Sequence, residues 1–441
     1  MPLAVPSKSW FQYLLPSFKL DDTKHHLDVL RVLSVLTWFL CAIVVHITSL
    51  FPLFDSSPHA ALPASSSSLL HSLSHPLLRW DAFHFGHIAQ HGYVYEYEWA
   101  FFPGTPLLMR GAASVVRLFE VRSASPETPG WEDVLLGGAL AACLCSSTTT
   151  LYRLTLHHFR SPSLAFLAAL LSLLPSSPAT LRLAGYSEPF FTYLSYRGML
   201  YCTRSQWFFA ACTFALAGMF RSNGILLSGF ILWGVLVEPF LTTRKVPFKK
   251  LAYAVALTSL TVMPFVSHQY TAYRAFCGGS ATPAPWCISV PPLIYSYVQA
   301  KYWNVGFLRY WTPQQLPNFL ISAPILALLF SYTTFYILHA LIPRLHSLLL
   351  GRPSGRSLPA SPFLASSLAP HAIHALLTAL TLLFTAHTQI VLRFAATMPL
   401  TYWAAAWLVV EHPRWGACWV SWSVVWGATM LVLWGAFLPP A

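Results

Sequence analysis

The stretch LDVLRVLSVLTWFLCAIVVHITSL, residues 27–50, decides the fold class of this chain. Only Asp28 and Arg31 in it are charged, and a helix of about 20 apolar residues crosses the roughly 30 Å of membrane hydrocarbon. The stretch is too long for the core of a signal peptide, and no clear small-residue cleavage site follows it. We therefore interpret it as an uncleaved first membrane span.

Similar apolar stretches recur along all 441 residues, of which 56% are hydrophobic and only 9% charged. A soluble domain has about 25% charged residues, and the short alternating segments of a membrane β-barrel are absent from the sequence. The composition predicts an all-α polytopic membrane protein, with residues 1–441 forming one membrane domain. Eleven spans are predicted, at residues 27–50, 134–152, 163–175, 187–203, 206–220, 224–241, 251–270, 317–342, 365–386, 394–410 and 416–437.

The net charge of +12 favours a membrane topology signal over nucleic-acid binding, because Lys and Arg lie in short clusters between apolar stretches. Residues 101–119 contain two prolines and two arginines, and we predict that they form a juxtamembrane or re-entrant helix. The basic clusters then share one side, which is predicted to be cytoplasmic. The opposite, lumenal side receives the long first loop at 51–133 and a large loop at 271–316.

Eight cysteines are present without any CxxC pair, which argues against a zinc cluster. Cys277 and Cys287 lie in a polar loop rich in Gly and Pro. A lumenal position would permit a disulfide between them, because that compartment is oxidising. The sequence leaves open whether the bond forms.

The first lumenal loop contains a dense polar segment, RWDAFHFGHIAQHGYVYEYEW, at residues 79–99. Asp81, His84 and His91 recur at helical spacing and would share one face of a short helix. Transfer to a sugar hydroxyl generally needs a carboxylate to take the proton, and Asp81 is our candidate base. The alternative is that Asp81 caps its helix or pairs with Arg79. The histidines imitate a metal site, but interfacial packing is the favoured interpretation.

Further charged residues lie where a membrane makes them costly. Glu188 and Arg221 fall at or inside apolar stretches, which indicates either a cavity or a pair that ties two helices together. Arg393 and Lys301 lie near the lumenal surface, where a guanidinium could bind a lipid phosphate or anchor a helix end. No Asp-x-Asp pair exists in the sequence. We therefore predict a donor with a single phosphate and no metal cofactor.

Five separated strings resemble one family: RWDAFHFGHIAQHGYVYEYEWAFFPGTPL, YSEPFF, FRSNGILLSGF, VQAKYWNVGFLRYWTPQQLPNFLISAP and QIVLRFAATMPLTYW. In this order they are similar to the PIG-V family, the glycosylphosphatidylinositol (GPI) mannosyltransferases that add the second mannose. The resemblance covers residues 79–403. It implies a GT-C type glycosyltransferase of the endoplasmic reticulum membrane, with Asp81 matching the family's acidic residue in the first lumenal loop.

The resemblance also implies the substrates: dolichyl phosphate mannose as donor and a mannosyl-glucosaminyl-phosphatidylinositol lipid as acceptor, joined in an inverting α-1,6 transfer. Fungal relatives are associated with a small auxiliary membrane subunit, and the resemblance implies a partner of that kind. The residues expected to contact substrate are Arg79, Trp80, His84, His91, Glu96, Glu188, Arg221, Lys301, Trp303, Asn304 and Arg393.

Two other function classes stay open from the sequence. Another mannosyltransferase that uses dolichyl phosphate mannose, acting on N-glycan precursors or on protein, would share the fold and the lumenal acid. A lipid or solute transporter would also contain polar residues among its spans. The absence of repeat symmetry and the concentration of polar residues in loops argue against a transporter.

Overall fold

The computed structural model describes residues 23–62, 69–118, 129–278, 283–349 and 361–438. Within these ranges the chain is helical and contains no β-strand. Its helices of ten or more residues are α1 (Thr23–Thr48), α2 (Asp81–His91), α3 (Gly104–Arg117), α4 (Trp131–Leu144), α5 (Thr148–Phe159), α6 (Pro162–Leu171), α7 (Ser187–Thr203), α8 (Trp207–Gly218), α9 (Ser222–Thr243), α10 (Phe248–Cys277), α11 (Ile294–Trp303), α12 (Pro313–Leu348), α13 (Ser366–Thr385), α14 (Pro399–Glu411) and α15 (Pro413–Gly435).

Seven helical segments among the described residues are long and apolar enough to cross a membrane. They are α1, α4 together with α5, α9, α10, α12, α13 and α15. These seven coincide with seven of the eleven predicted spans, so the polytopic all-α prediction is confirmed at this level. The remaining four predicted spans are also helical, as α6, α7, α8 and α14, but these helices are shorter. The count of eleven spans stays a prediction.

The short helices flank irregular segments that lie inside the bundle. Between α6 and α7 the chain makes only the five-residue helix Pro178–Arg182. Non-helical backbone inside a membrane protein needs internal partners for its polar groups. Arg182 supplies one such partner, because its Nη2 donates to the carbonyl of Ser172 at the end of α6, 3.2 Å away. Arg182 lies between the predicted spans at 163–175 and 187–203, and the structure buries it at this helix break, where free carbonyls attract a cation.

Helix α3 packs against α4 at a backbone-to-backbone contact. A Cβ atom added to Gly137 of α4 would lie 2.5 Å from the backbone nitrogen of Ala113 of α3. Helix α2 rests on both, with Gly86 of α2 directly under the ring of Trp131. This close packing places the first residue of α2, Asp81, against the rest of the bundle. The sequence predicts that 101–119 does not cross the membrane, and the structure forms α3 there; whether α3 crosses stays a prediction.

We expect Gly137→Val to lower the amount of folded protein strongly, because two backbones would have to separate to admit the side chain. The cost should be on the order of 1–3 kcal/mol or more. The matched control is Gly111→Val on α3, where an added Cβ meets nothing within 4 Å. The check is the thermal denaturation of both variants in detergent. Equal behaviour of the two variants would contradict this packing.

The two predicted lumenal loops pack together outside the spans. Trp99 of the first loop and Trp286 of the second share a buried cluster with Ala272, Ile294 and Val298. A disulfide joins Cys277 to Cys287 across ten residues of the second loop. The structure therefore forms the bond that the sequence left open, and it fixes Trp286 beside the first loop.

Several helices have one end at a common point. α7 begins there at Ser187 and α9 at Ser222, while α15 ends there, with Gly435 against Thr48 at the end of α1. Because α7 and α9 both start at this point, their C-terminal ends lie a full helix length away from it. Those distant ends carry Arg204 after α7 and Arg244 after α9. Arg204 and Arg244 therefore lie at the helix ends opposite the common point, where the predicted topology places them.

Candidate active site

Four charged side chains from four distant chain segments meet at this common point. Asp81 Oδ2 lies 2.8 Å from Nη1 of Arg393. Arg393 also binds Glu188, with Nε and Nη2 at 2.8 Å and 2.7 Å from Oε1. Arg221 Nη1 lies 2.5 Å from the same Oε1 of Glu188. The result is an alternating chain of acid and base, which we call the charge chain: Asp81, Arg393, Glu188 and Arg221.

Each member of the charge chain stands at a helix end or in a short connection. Asp81 is the first residue of α2 and Glu188 the second residue of α7. Arg221 lies between α8 and α9, and Arg393 in the four-residue helix Val391–Phe394 that follows α13. The helix dipole interacts favourably with an acidic side chain in the first turn of a helix, and both Asp81 and Glu188 lie in such a turn.

Glu188 is the buried centre of the charge chain. Its side chain is 0% exposed, whereas Arg221 and Arg393 are each 15% exposed and Asp81 is 31% exposed. A buried carboxylate is tolerated only when it is paired and hydrogen-bonded, and two guanidinium groups satisfy this one. Asp81 is thus the member that reaches furthest toward the outside. The sequence offered the Glu188–Arg221 pair as one of two interpretations, and the structure contains that pair.

Aromatic rings hold the two arginines in place. Arg393 Cζ lies 5.0 Å from the ring centroid of Tyr186, and Arg221 Cζ lies 4.1 Å from that of Phe394. Stacking on an aromatic face stabilises a guanidinium further when water is excluded. The hydroxyl of Tyr186 donates to the carbonyl of Arg79 at 2.7 Å. This hydrogen bond links the residue under Arg393 to the segment before Asp81.

Arg79 does not pair with Asp81, so that interpretation of the sequence is wrong. Its guanidinium is fully buried and donates to the carbonyls of His75, Leu78, Trp434 and Gly435. Free carbonyls at the end of α15 attract the cation more directly than a carboxylate two residues away. Arg79 therefore anchors the first loop to the end of α15, and only one of its five N–H donors remains for any other partner.

The residues around Asp81 pack against neighbouring aromatic rings. Trp80 has a positive φ of 40° and packs against Trp434 and Phe437. His84 stacks on Phe101 with ring centroids 4.5 Å apart. Burial lowers the pKa of His84, although the neighbouring carboxylates of Asp81 and Glu98 oppose the shift. The imidazole of His84 is therefore neutral at physiological pH, and it lies one helical turn from Asp81.

His91, at the far end of α2, is exposed and contacts His87 rather than Asp81. His87 in turn bonds Glu98, with Nδ1 2.5 Å from Oε1. Glu98 is 1% exposed and also accepts from the backbone N–H groups of Val94 and Tyr95. The sequence did not single out Glu98, which stabilises the turn after α2. The feature of the sequence that could have identified Glu98 is its place two residues after Glu96 in the polar segment.

A second polar cluster joins the two loops and is separate from the charge chain. Glu96 accepts from Lys301 at 2.9 Å, from Tyr302 at 3.0 Å and from Trp286 at 3.2 Å. The hydrogen bond to Glu96 raises the pKa of Lys301. The structure therefore gives Lys301 a carboxylate partner in the first loop. Lys301 lies beside Glu96, whereas Arg393 pairs with Asp81 and Glu188.

Trp303 and Asn304 end α11 beside the site. Trp303 lies 6.3 Å from His84 between ring centroids, and its carbonyl lies 2.7 Å from Nε2 of His387. Asn304 adopts a left-handed conformation, with φ of 52°, which terminates the helix. Trp303 thus packs beside His84 and Phe101, while Asn304 ends the helix.

Sequence reasoning did not single out Tyr186 and Ser187, although both belong to the YSEPFF string. Ser187 Oγ accepts from Nη1 of Arg221 at 2.9 Å. Among the described residues no group of three or more His, Cys, Asp or Glu side chains is arranged to hold a metal ion.

The sequence is similar to known proteins along nearly its whole length. A family model described as Mannosyltransferase (PIG-V) matches residues 24–441. The chain is 37% identical over 417 residues to GPI mannosyltransferase 2 of Cryptococcus neoformans, covering 88% of this chain and 92% of that protein. It is 34% identical over 396 residues to GPI alpha-1,6-mannosyltransferase 2 of Homo sapiens, covering 81% and 78%. GPI mannosyltransferase 2 of Aspergillus fumigatus is 32% identical over 450 residues, 93% of each chain. No solved structure matches the chain.

Proposed function

The chain belongs to the PIG-V mannosyltransferase family, as its motifs predicted, and from this premise we propose that it transfers the second mannose of the GPI anchor through an α-1,6 bond. The relatives' names supply the reaction and its linkage. For the donor we propose dolichyl phosphate mannose, and for the acceptor the mannosyl-glucosaminyl-phosphatidylinositol lipid.

The observation that carries the proposal is the meeting of a partly exposed carboxylate, Asp81, with a guanidinium, Arg393, at one end of a helical bundle. Transfer from a sugar phosphate to a hydroxyl needs a proton acceptor and a cation for the leaving group. Both groups are present within 2.8 Å of each other. A bundle with long apolar helices brings them to lipid substrates.

In the proposed reaction the acceptor's 6-hydroxyl attacks the anomeric carbon from the face opposite the phosphate. The bond from the anomeric carbon to the phosphate oxygen breaks, dolichyl phosphate leaves, and the hydroxyl proton passes to a carboxylate oxygen of Asp81. Arg393 stabilises the negative charge that grows on the phosphate. Glu188 and the ring of Tyr186 orient Arg393. No step in this scheme requires a metal.

We also propose that the site faces the lumen of the endoplasmic reticulum in a GT-C type architecture. Two observations support this orientation. The basic residues that follow α7 and α9 lie at the opposite ends of those helices, and basic ends are typically cytoplasmic. The Cys277–Cys287 disulfide lies in the second loop, which packs on the first, and disulfides persist in oxidising compartments.

The test is a transfer assay with purified full-length protein in nanodiscs, radiolabelled dolichyl phosphate mannose and defined acceptors. We expect label to move to the glycolipid that carries one mannose, and an α-1,6 mannosidase to release it again. Transfer only to an N-glycan precursor or to a peptide would contradict the proposed acceptor. Absence of transfer from dolichyl phosphate mannose with transfer from a nucleotide sugar would contradict the proposed donor.

A further inference from the structure

Arg393 is held unequally by its two carboxylate partners. Glu188 binds it through Nε and Nη2 from a position with no exposure, and Glu188 also binds Arg221. Asp81 binds it through Nη1 alone and is 31% exposed. Removing Arg393 from Glu188 would unbalance a buried carboxylate, which is costly. Removing it from Asp81 leaves a carboxylate that water or a substrate can reach, which costs little. The Asp81–Arg393 contact is therefore the one that an arriving anion can replace.

This contact conflicts with the role of Asp81 in transfer. Its Oδ2 accepts an N–H of Arg393, so one acceptor position of Asp81 and one donor of the guanidinium that the leaving phosphate needs are already in use. The charge chain contains two carboxylates and two guanidinium groups and is formally neutral. A phosphodiester would bring one further negative charge and the oxygen acceptors that a guanidinium prefers.

We propose that the donor's phosphate replaces Asp81 at Nη1 of Arg393, and that Glu188 is the positioning residue that keeps Arg393 in place during this exchange. Donor binding thereby returns this acceptor position of Oδ2 to the acceptor's hydroxyl and turns Nη1 of Arg393 to the phosphate. The donor consequently binds before the acceptor. The inference rests on the proposed function and adds to it the order of binding and the role of Glu188.

The experiment measures binding of radiolabelled dolichyl phosphate mannose to the full chain in nanodiscs without acceptor. Asp81→Asn removes the competing carboxylate, and we expect the dissociation constant to fall about three- to tenfold. Glu188→Gln removes the same single negative charge from the same cluster. Because it weakens the hold on Arg393, we expect the dissociation constant to rise about tenfold. If the loss of one negative charge alone governed donor binding, both variants would bind the donor more tightly.

Two further variants complete the test. Asp28→Asn breaks an exposed aspartate–arginine pair elsewhere on the chain and should leave binding unchanged. In an Arg393→Gln background, Asp81→Asn should no longer tighten binding, since the competition has been removed. This comparison also decides the question if Glu188→Gln fails to accumulate.

Unchanged or weaker binding by Asp81→Asn would overturn the exchange, as would tightening that persists without Arg393. Wild-type protein that binds no dolichyl phosphate mannose would contradict the proposed donor itself. The two failures are thus distinguishable.

Discussion

We expect the replacement of Asp81 with Asn to lower mannose transfer by a factor of at least about 100, while the protein accumulates normally. The size follows from the loss of a proton acceptor, which typically costs 10²- to 10⁴-fold in rate. Normal accumulation follows from the position of Asp81, whose side chain is 31% exposed and whose amide replacement still accepts from Arg393. The measurement is label transfer in microsomes at matched protein levels.

Two controls separate loss of the base from loss of structure. Asp28→Asn makes the same chemical change in an exposed pair on α1 and should leave transfer unchanged. Asp81→Glu retains a carboxylate at a shifted position and should recover part of the activity. An Asp81→Asn enzyme with activity close to the wild type would remove Asp81 from the mechanism.

The second large effect concerns stability. Glu188→Ala leaves Arg221 and Arg393 inside the bundle without the carboxylate that they share. Breaking a buried ion pair by removing one partner costs about 3–5 kcal/mol, comparable to much of the stability of a typical domain. We expect a sharp fall in the amount of folded protein and a lower midpoint of thermal denaturation in detergent.

The matched control is Glu238→Ala, which also removes a glutamate from an arginine pair. Glu238 contacts Arg344 but is 38% exposed, and surface pairs contribute about 0–1 kcal/mol. Its midpoint should therefore stay near that of the wild type. If Glu188→Ala melts no earlier than Glu238→Ala, then Glu188 does not stabilise the bundle as its burial indicates.

The sequence predicted the membrane-helical class and the family because both depend on local patterns. Asp81 stood out since acidic residues are scarce in this chain, and Glu188 and Arg221 because charges inside apolar stretches are conspicuous. Their pairing was within reach, since α7 and α8 are neighbouring helices. The contact between Arg393 and Glu188, which are 205 residues apart, could not be predicted, because helix packing decides it.

Two arginines show why the remainder escaped prediction. Arg79 and Arg182 both lie between predicted spans, yet the structure buries them at helix ends, bonded to carbonyl oxygens. Pro175 and Pro178 show that a helix is interrupted near Arg182, but not which side chain reaches the carbonyl groups freed there. The donors and acceptors exposed there therefore cannot be assigned before the fold is known.

The difference in accessibility between the two carboxylates bears on the design of inhibitors. A compound with an anionic head group must outcompete a carboxylate that Arg393 already holds, so part of its binding free energy is spent on displacement. A small amine directed at Asp81 meets a carboxylate that is open on one side, whereas Glu188 is enclosed and out of reach. Selectivity against soluble enzymes would then come from a hydrocarbon tail that keeps the amine at the membrane surface.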